Sequence, residues 1–108
     1  TTQLTLHSDG RGLSQFTAEA WANINGTGTP SLQDSHNVSS VTDVGTGRYQ
    51  LNWGTAIGNT AYASVCSTAP GYIAGATNRG SASLEVQNGD TDFTLVDLAQ
   101  VCCVIFGD

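Results

Sequence analysis

The sequence predicts an all-β fold, an antiparallel β-sandwich, on three observations. Polarity alternates over short runs, most clearly from Arg48 to Trp53, where Tyr49, Leu51 and Trp53 share one face and Arg48, Gln50 and Asn52 the other. Glycine turns such as Asn25-Gly26 and Asp43-Val-Gly-Thr-Gly47 separate the runs. The composition is 39% hydrophobic and only 11% charged, so the polar surface must come from Thr, Ser, Asn and Gly. Those residues suit strands and turns, whereas exposed helices usually carry Glu, Lys and Arg. No helix of ordinary length is required, and no fixed-period repeat is present.

In chain order, Thr1 to Leu6 alternates crudely with Leu4 and Leu6 on one face, and Ser8-Asp-Gly-Arg-Gly12 ends that leading strand in a turn. Phe16, Ala18 and Ala20 share one parity while Trp21 and Asn23 share the other, which predicts a strand from about Glu19 to Asn25. Asn25-Gly26 supplies a hairpin turn, because both residues tolerate positive φ. Pro30 marks Gly28 to Gln33 as a connecting strand or loop at a sheet edge. His36 to Thr42 is a strand, Asp43 to Gly47 a turn and Arg48 to Trp53 the next strand. Gly54 to Asn59 reads as a linker and Thr60 to Ser67 as a strand.

From Thr68 to Gly80 the signal fades into Ala, Gly, Pro and Thr, with Tyr72-Ile-Ala74 as the one strand-like island. Long surface loops of this kind are where specificity tends to sit. Ser81 to Val86 alternates again, Asn88-Gly-Asp90 turns the chain, and Thr91 to Phe106 closes it as two strands or one bent strand. Val101-Cys-Cys-Val-Ile-Phe106 is apolar on both faces. Such a strand must be covered twice, in the middle of a sandwich or against a neighbouring subunit.

The 108 residues make one β domain, and a chain of this size buries roughly two-thirds of the surface its unfolded form exposes. A net charge of −6, with three basic residues and no lysine among them, argues against a grip on nucleic acid or anionic lipid, since both need clustered positive charge. No apolar run is long enough to insert in a bilayer. A start at Thr1 rather than Met fits a processed product, a domain cut from a longer polypeptide or a trimmed chain, and the second is expected.

Cys102 and Cys103 are adjacent, so on a strand they point to opposite faces and only one of them can face Cys66. Three small buried thiols, made in a reducing compartment, are expected in preference to a structural disulfide.

Little in the chain points to catalysis or metal binding. His7 and His36 are far apart and lack ligand spacing, so no metal and no cofactor is expected. No nucleophile-elbow motif surrounds a serine. Glu19 and Glu85, the only glutamates, sit in no recognisable motif, and Asp90-Thr-Asp92 reads as an acidic turn rather than a calcium loop. The chain is accordingly not expected to be an enzyme. Trp21, Tyr49, Trp53, Tyr62 and Tyr72 could stack on sugars, but the first four lie in strands, where core packing is the default role. Asn25 and Asn37 match the glycosylation sequon, which matters only in a eukaryotic secretory pathway.

One set of motifs is more specific. Ala20-Trp-Ala-Asn-Ile-Asn-Gly-Thr-Gly28 is followed by Asn37-Val-Ser-Ser-Val-Thr-Asp43, then Gly45-Thr-Gly-Arg-Tyr49, Leu51-Asn-Trp53 and a final Val104-Ile-Phe-Gly-Asp108. In order and spacing this resembles a module of bacteriophage tail-fibre and other virion proteins, and the matched motifs run through about half of the chain. Val44 stands where the module has Asn, and Arg48 where it has Asp, so the turn between those strands carries a different charge. On this resemblance the chain divides into a leading strand and linker (1–17), the module (18–66), a variable loop-rich segment (67–90) and C-terminal strands (91–108).

The resemblance implies a non-enzymatic virion protein, synthesised in the bacterial cytoplasm and carried on the extracellular particle. It would be a tail-fibre or spike tip that attaches to host-surface polysaccharide or protein and contacts other virion proteins. A structural part, such as a capsid decoration or fibre connector, is the alternative, and a secreted carbohydrate-binding module a second one. Fibres of this kind are trimers, so a homotrimer is expected, with Val101, Val104, Ile105 and Phe106 at the subunit contact. Receptor contacts are expected in the variable segment, at Tyr72, Asn78 and Arg79.

Overall fold

The computed structural model describes residues 5–6, 12–13, 18–58 and 60–107. Two short strands, β1 (Thr5–Leu6) and β2 (Gly12–Leu13), pair antiparallel as a ribbon. Thr1 to Leu4, His7, the turn expected from Ser8 to Arg11, Phe16 and the terminal Asp108 lie outside the described residues.

Eight further strands build two four-stranded antiparallel sheets that share one core, a β-sandwich. They are β3 (Ala18–Asn25), β4 (Ser31–His36), β5 (Val38–Gly45), β6 (Arg48–Trp53), β7 (Ala63–Thr68), β8 (Ile73–Thr77), β9 (Ser83–Gly89) and β10 (Val101–Phe106). The first sheet has the order β4-β3-β10-β7 and the second β5-β6-β9-β8. Both edges are bridged by the chain itself, because β4 runs into β5 on one side and β7 into β8 on the other.

The core follows from period-two alternation. Ala20, Ala22 and Ile24 from β3 and Val101, Cys103 and Ile105 from β10 face Tyr49, Leu51 and Trp53 from β6 and Leu84 and Val86 from β9, all buried. Tyr49, Leu51 and Trp53 therefore occupy the core face that their parity predicts. Ile57 and Tyr62, from the segment that carries the chain between sheets, close one end of the core. The rings of Trp53 and Tyr62 meet edge to face, with centroids 6.3 Å apart.

Several local expectations are corrected. Gly26 is not a positive-φ turn residue; that conformation is taken by Gly28 (φ 65), in a longer loop between β3 and β4. The Tyr49 hydroxyl group occupies the space beside the Gly26 Cα, so a side chain there would meet Tyr49 Cζ at 2.5 Å and the Leu98 carbonyl oxygen at 2.9 Å. Tertiary contact, and not a two-residue turn, is what requires glycine at this position. The segment from 68 to 80 is not loop throughout, because β8 forms the edge of the second sheet within it. Strand β9 runs on through Gly89, so the turn falls at Asp90 to Thr94, and 91–100 forms a loop with a single bridge, Leu95 to Gly89.

The motif residues hold the sandwich together. Asn37 alone carries the chain from β4 to β5, in the left-handed region (φ 56), where asparagine is one of the few tolerated residues. Its amide donates to the carbonyls of Glu19 (3.3 Å) and Thr55 (3.1 Å), and its side-chain oxygen accepts from the Thr55 N–H (2.7 Å). Tyr49 donates its buried hydroxyl proton to Asp97 Oδ1 at 2.9 Å, with the Gly26 carbonyl 3.2 Å away, and Asp97 Oδ1 also accepts the Gly47 N–H at 2.8 Å. Burial and the adjacent Asp97 carboxylate push the Tyr49 phenol well above its ordinary value. This cluster pins the 90–100 loop to the hairpin between β5 and β6.

Candidate functional site

The two outer faces of the sandwich differ in chemistry. On the second sheet, β6 turns Arg48, Gln50 and Asn52 outward, and β9 places Glu85 and Gln87 beside them. Arg48 grips Glu85 through both Nε (2.9 Å to Oε2) and Nη2 (3.3 Å to Oε1). Gln87 Nε2 donates to Glu85 Oε2 at 2.6 Å and Asn78 Nδ2 to Oε1 at 3.0 Å. Further along, Gln50 donates to Asn52, whose amide donates to Ser40 Oγ and Thr42 Oγ1. These polar groups satisfy one another, which fits a face that meets solvent.

The fork with Arg48, reinforced by Gln87 and Asn78, holds the Glu85 carboxyl down at about 2. Unfolded, it would titrate near ~4.3. The folded value lies below the unfolded one, so this contribution to stability is complete above about pH 5 and is lost as pH falls toward 2. Arg48 is 38% exposed, so solvent screening reduces what the fork contributes to stability. Acid unfolding of Glu85→Gln, followed by circular dichroism, is expected to show a shallower loss of stability between about pH 5 and 2 than the parent. An identical acid limb in both proteins would contradict the assignment.

The outer face of the first sheet is apolar along its middle. Cross-strand register aligns His36 of β4, Trp21 of β3, Val104 of β10 and Val65 of β7 in one row across all four strands. The next row is Asp34, Asn23, Cys102 and Ser67. Val65 is 60% exposed, the highest value among the large exposed apolar side chains of the described residues. Phe106 extends the apolar strip, opposite Ala63 and Ala18. A shallow groove of about 230 Å³ runs between the two rows, lined by Trp21, Asn23, Val65, Ser67, Cys102 and Val104 among others. The Asn23 side-chain oxygen is buried at this groove without a hydrogen-bond partner.

The four residues expected at a subunit contact are divided by this geometry. Val101 and Ile105 are 0% and 1% exposed and belong to the domain's own core, whereas Val104 and Phe106 point outward. Trp21, grouped by its strand with the core aromatics, instead lies half-buried on the outer face beside Val104. Its parity with Asn23, opposite to that of Ala20, was the signal that separates it from Tyr49 and Trp53.

Tyr72, Asn78 and Arg79 do not converge. Tyr72 is exposed just before β8, and Asn78 and Arg79 follow its other end, so the length of a five-residue strand, roughly 17 Å, separates them. Asn78 is engaged with Glu85, and Arg79 Nη2 donates to Ser64 Oγ at 3.1 Å.

Among the described residues no group of three or more His, Cys, Asp or Glu side chains is placed to hold a metal ion. Glu19 and Glu85 lie on strands of different sheets. The Asp90 carboxylate accepts the N–H groups of Asp92 (3.0 Å) and Thr94 (2.9 Å), an Asx turn that accounts for this acidic sequence. Asn25 Oδ1 likewise accepts the Thr27 N–H at 3.0 Å.

Comparison with protein-family models, with curated proteins and with solved structures finds no match.

Proposed function

We propose that this domain is a non-enzymatic bacteriophage virion protein, a tail-fibre or spike tip that contacts the host surface, assembled as a homotrimer through the outer face of the first sheet. The observation that carries the reading is the order and spacing of the Trp21, Asn37, Gly45 and Val104 motifs. The fold supports it by giving those motifs a common purpose. Asn37, Gly47 and Tyr49 are the joints of the sandwich, and Trp21 and Val104 form its apolar strip. A continuous apolar strip across the face of a small domain favours a permanent neighbour.

In this arrangement the polar second sheet and the edge strand β8, with Tyr72 and Ile73 exposed, remain free to meet host polysaccharide or protein. Purified domain is expected to bind host cells and to compete with adsorption of the phage that carries it. Absence of both binding and competition would overturn the host-contact reading. The same apolar strip favours a second reading, a structural virion part that contacts other virion proteins. Imaging of intact particles, distal on the tail or on the head, separates the two.

A further inference from the structure

We infer that Cys66 and Cys103 form a modification site, a dithiol that closes to an intramolecular disulfide by exchange with a low-molecular-weight disulfide, with Cys66 as the attacking thiol. All three cysteines are free thiols. Strands β7 and β10 pair Cys66 directly with Cys103, and their sulfurs are in contact at 3.3 Å. Directly opposed antiparallel residues have Cα atoms about 4.5–5.5 Å apart, inside the range that a disulfide spans. Small side-chain rotations therefore suffice, with no movement of either strand. Cys102 faces the other side of the sheet, opposite Asn23 and Ser67, and takes no part.

The environments of the two thiols are unequal in the sense that exchange chemistry requires. Cys66 lies on the edge strand and is half-buried, whereas Cys103 is 4% exposed in a central strand. Arg79, anchored on Ser64 two residues from Cys66, brings positive charge to that edge. The hydrogen bond shared with Cys103 favours the thiolate at Cys66 and, with a smaller contribution from Arg79, outweighs the effect of burial. Cys103 is pushed the other way by the same partner and by burial.

The Cys66 thiolate attacks one sulfur of the small disulfide and displaces a thiolate, leaving a mixed disulfide on Cys66. Cys103 then gives its proton to the thiolate released in the first step, attacks the Cys66 sulfur and displaces the second small thiolate, which takes up the proton that Cys66 had lost. Two protein thiols are oxidised to one disulfide, and the small disulfide is reduced to two thiols. The bond would tie the edge strand β7 to the centre of the sheet, across a sequence separation of 37 residues. It goes beyond the proposed function and does not depend on it.

The test incubates the full folded chain with oxidised glutathione, then denatures, alkylates and weighs it. The expected product has one alkylated thiol out of three and lacks the roughly 2 Da of two hydrogens. Cys102→Ser should oxidise equally well and retain no alkylatable thiol. Cys103→Ser should stop as a glutathione adduct on Cys66; should that variant not fold, the parent chain and Cys102→Ser decide the matter alone. Three alkylated thiols in the treated parent, or a Cys102→Ser chain that remains fully reduced, would overturn the inference.

Discussion

Gly47→Ala is expected to cost the domain roughly 3–5 kcal/mol and to lower its melting temperature by at least about 10 °C. Gly47 sits at φ 66, and a Cβ there would lie 2.6 Å from the Asn88 carbonyl oxygen, 2.7 Å from the Val96 nitrogen and 3.0 Å from the Val96 oxygen. All three are backbone atoms and cannot swing aside as the end of a side chain would. They belong to the junction at which Asn88 N–H donates to the Gly47 carbonyl (2.9 Å), Val96 N–H donates to the Asn88 carbonyl (3.2 Å) and the buried Asn88 amide donates to the Val96 carbonyl. Displacing that junction also loosens Asp97 from Tyr49. Gly71→Ala is the control, since Gly71 has φ 85 but open space around it, and only the conformational cost of about 1 kcal/mol is expected. Equal thermal shifts for the two variants would contradict this account of Gly47.

Val104→Lys is expected to weaken self-association at least a hundredfold while leaving the fold intact. Val104 projects from the central strand of the first sheet, between Trp21 and Val65, away from the core that Val101, Cys103 and Ile105 fill. A lysine there keeps its charge in water in the separated domain. In a symmetric assembly it would place like charges together in an apolar contact, which is costly to desolvate. Circular dichroism should report an unchanged sheet, and sedimentation velocity a shift to monomer. The converse result, an intact oligomer, would place the contact elsewhere on the domain.

How much of this was legible in the sequence depended on whether the controlling contacts are local. Alternation along β6 and β9 read correctly, because one face of each is core and the other polar. The two-faced apolar character of β10 was legible too: Val101, Cys103 and Ile105 fill the core on one face, and Val104 and Phe106 form the outward apolar strip on the other. Strand β8 was hidden by its composition, Ile-Ala-Gly-Ala-Thr, which has few of the β-branched and aromatic residues that mark strands. It forms because it can pair with β9 at the open edge of the second sheet. The Asn25-Gly26 turn was misplaced because Tyr49, 23 residues away, decides what fits beside Gly26.

The candidate site was legible only in part, for the same reason. Val104 and Phe106 announce an outward apolar surface on their own strand, but its extension to Trp21 and Val65 depends on the register of β3 and β7 against β10. That register joins segments distant in the chain, and alternation within a segment carries no information about it. Likewise, adjacency makes Cys102 and Cys103 face opposite ways, yet which of them meets Cys66 is settled only by the pairing of β7 with β10.

The central claim, that the outer face of the first sheet is where copies of this domain meet, is tested most directly by the molar mass of the chain in solution. Light scattering at micromolar concentration is predicted to give about three times the 11.2 kDa of the chain, and a stable monomer under those conditions would contradict it.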